Sequence, residues 1–443
     1  MSNSEGIDFG NGRVGSLFVK VLVPTLLGLT FSSLFLLVDG IFVGHGIGSE
    51  GLAAVNIVMP IFTIATGIGM MFAIGSSVVA AIHLAQDNIM AARQVVTQAF
   101  VSVLALGALL ALILYAAPDR ILSLLGAEGP LMDRCREYYM WFAPCGLCVM
   151  VQIVSQFIIR LDGNPNYSGL VEVVPACVNI FLDWLFIFPM GWGLMGAAFA
   201  TSLGSFIGVL MSLWYFAGRS RVLSLTGRAF NSRTMRNVAN MMRLGFSGFL
   251  GELSMSVLTI MGNYSFMKIL GYDGVASFCI ALYIFPVVYM ICAAAAQSAQ
   301  PIESYNYGKG AWDRVRTALR ISIISSVSVG LLLTLLICFF PDAVVSVFID
   351  DSSPVYGLCV RGLPLFALSF VFMAVSVCSI NYYQAVERPV RSVVLTLLRG
   401  MVLPVVTFSI LPFWLSSDGL WLAVPVAEAL TFAVLLLLRA LRA

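Results

Sequence analysis

The stretch IGSEGLAAVNIVMPIF (residues 47–62) returns later in the chain as LGYDGVASFCIALYIF (270–285). Written one above the other at an offset of 223, the two share Gly, Gly, Ala, Ile, Ile and Phe in register. The same offset carries Arg93 onto Arg316. Further along, GNPNYS (163–168) meets ERPVRS (387–392) at an offset of 224, and GLM (193–195) meets GLW (419–421) at 226. These offsets are about half the length of the 443-residue chain. The sequence therefore reads as one unit written twice in tandem.

Composition says what the unit is made of. Hydrophobic residues make up 60% of the chain and charged residues only 10%, against about 25% charged in soluble globular domains. Such a chain takes a bilayer as its solvent. A helix needs about 20 mostly apolar residues to cross a hydrocarbon core of roughly 30 Å, because each residue rises only about 1.5 Å. Twelve runs qualify, near 17–43, 52–82, 94–117, 137–159, 168–189, 193–217, 240–268, 275–302, 317–340, 361–383, 390–412 and 419–438. They are too long for strands of a membrane barrel, and a helix pairs its backbone polar groups within its own segment. The expected fold class is an all-α membrane protein with twelve transmembrane helices in two six-helix lobes. Six is even, so the second lobe enters the membrane in the same sense as the first. The repeat is then parallel, about an axis along the membrane normal, as in some secondary transporters. Two bundles rocking about a cleft would make a substrate path; the alternative is that duplication only enlarged a bundle.

The boundaries expected are a soluble cytoplasmic tail (1–16), a first lobe (17–217), an Arg-rich linker (218–239) and a second lobe (240–443). Part of the linker reads as an amphipathic surface stretch. The tail lacks the charged, apolar and cleavage regions of a signal peptide. With the amino terminus inside, eighteen Lys and Arg fall on the cytoplasmic side, among them Arg228, Arg233, Arg439 and Arg442. Only Arg120, Arg134, Arg136, Lys268 and Arg361 fall outside. Under the positive-inside rule this puts both termini in the cytoplasm. A net charge of +2 gives no case for nucleic-acid binding. The nine cysteines are scattered through apolar runs and read as small packing residues rather than a disulfide or metal framework. His45 and His83 fall at loop ends on opposite sides, which suits solvated side chains and not a zinc site.

Charges inside the spans are the candidates for function, since a central Asp costs about 2.5–3.5 kcal/mol on insertion scales. Asp39 lies in span 1, Asp183 in span 5, Glu252 in span 7, Arg399 in span 11 and Glu428 in span 12. Asp39 is about 6 Å and Asp183 about 9 Å below the outer surface by residue count. Thr201 in span 6 reaches a similar depth, Tyr139 lies near the outer start of span 4, and Asn179 stacks one turn before Asp183. Together these residues offer oxygens for a proton or a bare Na⁺, provided spans 1, 4, 5 and 6 converge. At the repeat offset Asp39 meets Gly262, and Asp183 meets Thr407 or Ser409. Ion chemistry is thus expected in the first lobe alone, with Glu252 a separate element. The competing readings stay open: Asp39 and Asp183 as anchors at helix ends, Glu252 as a snorkelling residue, Arg399 and Glu428 as a mutual pair. Prolines 24, 60, 144, 175, 286, 364, 404 and 425 permit bends.

The segments PTLLGLTFSSLFLLVDGIFVGHGIGSEGLAAV, IIRLDGNPNYSG, NIFLDWLFIF, GLMGAAFATSLG, QPIESYNYGKG, NYYQAVERP and LRGMVLPV, taken in order, resemble the multidrug and toxic compound extrusion (MATE) transporters of bacterial type, over about 17–437. The resemblance implies two six-helix lobes in the bacterial inner membrane and exchange of H⁺ or Na⁺ for organic, often cationic, compounds, with no cofactor. Asp39, Asn179, Asp183 and Thr201 match polar positions of the family, and Glu252 matches an acid used in some branches. Ser32 departs from the Gln that some members carry, and span 10 has no clear acid, so a second-lobe cation site is in doubt. The expected mechanism has the desolvated Asp39 and Asp183 attract a cationic, amphipathic guest until ion entry cancels their charge, in a protein acting as a monomer. A lipid-linked oligosaccharide flippase is the first rival. An intramembrane enzyme is the second, although no span carries a histidine near its middle to act as base.

Overall fold

The computed structural model describes residues 7–440 except 130, 228, 231 and 233. The expectations on Arg228, Arg233 and Arg442 lie outside the described residues, as does the side chain of Arg439. The first half holds α1 (Val14–Gly46), α2 (Ser49–Ala85), α3 (Ile89–Ala116), a short α4 (Pro118–Leu124), α5 (Leu131–Leu161), α6 (Pro165–Ile187) and α7 (Gly193–Gly218). The second holds α8 (Thr234–Gly308), α9 (Trp312–Phe339), α10 (Pro341–Val345), α11 (Pro354–Ala367), α12 (Ser369–Ala385), α13 (Pro389–Leu397), a π-helical turn (Leu398–Val402) and α14 (Leu403–Ala440). Among the described residues ten helical stretches are long and apolar enough to cross a membrane. Two of them, α8 and α14, contain a non-helical residue, Gly271 and Ser416, where the chain turns. Each therefore supplies two crossings, and the fold is the twelve-helix membrane protein that the apolar runs imply.

The tandem repeat is visible in the backbone corners. Gly48 stands at φ 97° and Gly271 at φ 66°, 223 residues apart; Asp87 (58°) and Gly310 (72°) share that offset. Gly163 (85°) and Glu387 (53°) are related by 224. This left-handed region suits glycine, which has no Cβ to clash. Asp87, Glu387 and Ser416 hold it without that freedom, at a cost of order 1 kcal/mol each. Helix starts repeat as well: Pro165 and Pro389 each open a helix at a position where their missing N–H is not needed. The Asn164 side chain accepts the Tyr167 N–H, and the Asn88 side chain accepts that of Ala91.

The chain packs as two compact units. The first runs to Phe249 and includes Ser304–Ala311; the second comprises Leu250–Glu303 and the rest of the chain from Trp312. In the first unit α2 and α3 pack on α5, α1 lies along α6, and α7 closes on α5 and α6. Its core joins Phe72, Val96, Met150, Ile158 and Tyr215, all essentially buried. In the second, Phe266 and Phe278 stack at 4.7 Å across the Gly271 corner, with Trp421 edge-on to Phe266 at 5.1 Å.

The described residues between α7 and α8 run without helix and are fastened to the first unit. Buried Asp162 accepts hydrogen bonds from Tyr215 Oη and from the N–H groups of Arg221, Val222 and Leu223, at 2.7–2.8 Å. Arg93 Nε donates to Val222 O at 2.7 Å, and Gln98 Nε2 to Ala229 O at 2.6 Å. The described part of the tail is also packed down: Phe9 is buried near Tyr305, and Asn306 Nδ2 donates to Phe9 O at 2.9 Å. Beside it, hydrogen bonds from the Asn11 side chain and the Gly10 and Asn11 N–H groups hold the Asp8 carboxyl below its usual range.

Candidate functional site

The first unit builds the site by laying α1 along α6 and α7 against α6. On α6, Glu172, Ala176, Asn179 and Asp183 follow at helical spacing and are all buried. Asp39 of α1 faces this stripe. It is 6% exposed and Asp183 is 0% exposed. The two carboxyl groups lie within hydrogen-bonding reach of one another. Asp39 Oδ1 and both Asp183 oxygens have no hydrogen-bond donor. Two ionised carboxylates have only acceptors to offer each other, so contact between them requires a proton on one or a cation between them.

The neighbours add oxygen ligands. Asn179 Nδ2 donates to Thr201 Oγ1 at 3.3 Å, which leaves Asn179 Oδ1 buried and unpartnered. The Asn179 amide is beside the Asp183 carboxyl but not aligned for a hydrogen bond. Thr201 in turn donates to Ala197 O at 3.1 Å. Gly204 makes this approach of α7 possible: a Cβ there would meet Asn179 Cβ and Pro175 O at 3.1 Å. Four of the five first-lobe residues singled out from sequence therefore gather.

Tyr139 does not join them. It is buried, but its hydroxyl donates to Leu114 O at 2.7 Å on the α3 side. The residue before it, Tyr138, is the aromatic at the site. It is 1% exposed and close enough to Asp39 and Asp183 to feel their charge. One residue is about 100° of rotation on a helix, so depth alone could not separate the two.

Sequence reading also passed over Glu172, Arg160 and Glu303. Ser32 of α1 donates to Glu172 Oε1 at 2.8 Å, and the buried guanidinium of Arg160 is within electrostatic reach of Glu172. Glu172 precedes Asn179 by two turns on the same face, a signal that was available. Glu303 is 1% exposed with neither oxygen hydrogen-bonded. It was hidden because α8 continues to Gly308, beyond the expected end of span 8 at 302. His83 is half-buried rather than solvated, with Nδ1 enclosed and unpartnered.

Glu252 belongs to the second unit, half-buried and within electrostatic reach of Tyr289. At the repeat equivalents of the acid pair the second unit has no carboxylate. A Cβ on Gly262 would strike the Phe278 ring, and Thr407 and Ser409 bond to carbonyls of their own helix. Arg399 and Glu428 do pair there, Nε to Oε1 at 2.7 Å.

The MatE family model matches residues 24–185 and again 248–408, most of the chain and once in each half. The chain belongs to the MATE family. Among curated relatives, the multidrug export protein MepA of Staphylococcus saprophyticus is 22% identical over 387 residues, 87% of this chain and 85% of the relative. A FAD transporter of Shewanella oneidensis is 25% identical over 425 residues, 94% and 92% of the two chains. Solved structures share the fold: an outward-facing multidrug resistance MATE transporter of the MOP superfamily has a TM-score of 0.91 at 24% identity, covering 100% of this chain and 98% of its own. A MOP superfamily transporter from Pyrococcus furiosus, described as having a binding pocket of reversed polarity that suggests a different function, matches with the same score, identity and coverage. As a MATE protein the chain is a multi-pass membrane transporter and, at the level of the family, not an enzyme.

Proposed function

We propose that the protein is a secondary active exporter of organic compounds, driven by inward exchange of H⁺ or Na⁺ at Asp39, Asn179, Asp183 and Thr201. The observation that carries this reading is the pair of buried carboxyl groups in contact with no donor for three of their oxygens. Such a pair holds one proton or one small cation and is costly without it. Ionised, it favours a cationic, amphipathic guest; neutralised from the other side, it releases that guest. Alternating access of the two halves and a monomeric state complete the proposal, as does a bacterial inner membrane with both termini in the cytoplasm, supported by the Lys and Arg distribution.

The test is efflux of a cationic dye from proteoliposomes with proton and sodium gradients imposed separately. Asp39→Asn and Asp183→Asn are expected to abolish gradient-driven efflux while leaving the protein in the membrane; full efflux in both variants overturns the coupling role. The Shewanella relative transports FAD, so a flavin nucleotide is the second cargo to load. FAD efflux without dye efflux would replace the cationic-substrate reading. A lipid-linked oligosaccharide flippase needs a cationic cavity for its pyrophosphate, and the acidic first unit weighs against it.

A further inference from the structure

The two cysteines of CGLC, Cys145 and Cys148, lie one turn apart on α5, and of the nine in the chain they are the only pair at that spacing. Both are free thiols. Neighbours at i and i+3 on a helix stand about 5–6 Å apart at Cβ, whereas a disulfide needs about 3.5–4.5 Å. With the helix intact the pair is too wide for a direct S–S bond, and one atom inserted between the sulfurs spans it. The approach is open on one side. Trp141, Pro144 and Cys148 follow at helical spacing; the first two are exposed and Cys148 is half-buried. The turn also has give: Pro144 cannot donate to Met140 O, which instead accepts from Tyr115 Oη at 2.8 Å. Cys145 is buried at the edge of this face, in the seam with α7. Its Sγ is 3.3 Å from Ser205 Oγ and donates to Thr201 O at 3.9 Å. The Thr201 hydroxyl accepts from Asn179, so this thiol is fastened to the turn of α7 that completes the acid site.

We propose that Cys145 and Cys148 form a dithiol site for trivalent organoarsenicals, and that its occupation detaches α7 from α5 beside Thr201. When an arsenical R–As=O meets the two thiols, two As–S bonds form, the As=O oxygen takes both thiol protons and leaves as water, and arsenic stays trivalent. A sulfur bonded to arsenic has no proton to give Thr201 O, and drawn toward Cys148 it leaves Ser205. The apolar R group lies along the open face at Trp141 and Pro144. The ligand class follows from the donor set. Among the described residues no third Cys, His or carboxylate joins the pair, which suits an element that keeps one organic substituent and takes two sulfurs. Binding stands apart from transport, while the effect on efflux rests on the proposed coupling role of Thr201.

The experiment treats the purified full chain with phenylarsine oxide and then with excess glutathione, which strips arsenic held by one thiol and leaves arsenic held by two. Intact-mass spectrometry counts the adducts that remain. Wild type is expected to keep one adduct more than Cys145→Ser and one more than Cys148→Ser, whereas Cys177→Ser keeps the wild-type count. The site is overturned if wild type keeps no adduct, or if Cys148→Ser keeps as many as wild type. Detachment of α7 is read first without transport: phenylarsine oxide is expected to lower the Tm of wild type and not that of Cys148→Ser, and an equal shift in both overturns it. In proteoliposomes the reagent is expected to cut gradient-driven dye efflux by wild type to below half of the untreated rate, with dimercaptopropanol restoring it. An adduct that leaves wild-type efflux unchanged overturns the link to the acid site, whereas untreated protein that moves no dye counts against the proposed function alone.

Discussion

Replacing Asp183 with Asn changes one oxygen to an amide and turns the opposing Asp39 from a competitor into an acceptor. In the wild type, removal of the shared proton leaves two charges facing each other at hydrogen-bond range. At about 3 Å and an effective dielectric near 20, their repulsion is about 5.5 kcal/mol. Unfolding entropy of about 2.1 cal/mol/K per residue, over 443 residues, converts this to a fall in Tm of about 6 °C. The sign is fixed by which state holds the proton: the folded pair needs it, so stability is present at low pH and is lost as pH rises. Tm is measured against pH in sodium-free buffer for wild type, Asp39→Asn and Asp183→Asn. Both variants are expected to lack the alkaline fall, because each keeps at most one charge at the site. Other buried acids, such as Glu172, Glu303 and Glu428, are common to all three proteins and cancel in the difference. An identical fall in wild type and variants would refute the argument that the two carboxyls share an ion. If sodium chloride restores the wild type at high pH and choline chloride does not, the shared ion extends to Na⁺.

Tyr138→Phe is expected to slow gradient-driven efflux, whereas Tyr139→Phe should leave it intact and lower stability by about 1 kcal/mol for the lost hydrogen bond to Leu114; parallel flux and melting measurements separate them. Gly204→Val should push α7 off α6 at Asn179 and abolish coupled efflux with the protein still in the membrane, read by flux and surface quantity together. Ser32→Ala removes a hydrogen bond to a buried carboxylate and should cost about 1.5–3 kcal/mol, seen as a lower Tm. Asp162→Ala releases the three backbone hydrogen bonds that fasten the linker, so trypsin should cut after Arg219 or Arg221 in the folded variant and not in wild type.

The residues differ in how far sequence exposed them. Helix number was legible because apolar length decides whether a segment spans, and the duplication because its corner residues repeat at 223 and 224. Asp39 and Asp183 stood out as acids in apolar runs at one depth, and Asn179 followed by helical spacing. Tyr139 misled because depth fixes a level and not an azimuth; packing of α5 against α3 and α7 sets that. Glu172, Arg160 and Glu303 escaped because each lies near the end of an apolar run, where charge reads as interfacial, yet the folded helices bury all three. The linker's path depended on Asp162, whose partners are backbone groups sixty residues away that no local pattern announces.

The Arg399–Glu428 pair also bears on how the chain is made. The two residues lie on either side of the Ser416 turn, on consecutive crossings. Delivered singly to a bilayer, a helix carrying a bare guanidinium or carboxylate near its centre enters at a cost of about 2.5–3.5 kcal/mol. Held together as a hairpin, the same two crossings present lipid with no net charge. The last two helices are thus suited to leave the insertion machinery as one neutral piece, and a chain stalled between them would be stranded with its cation exposed.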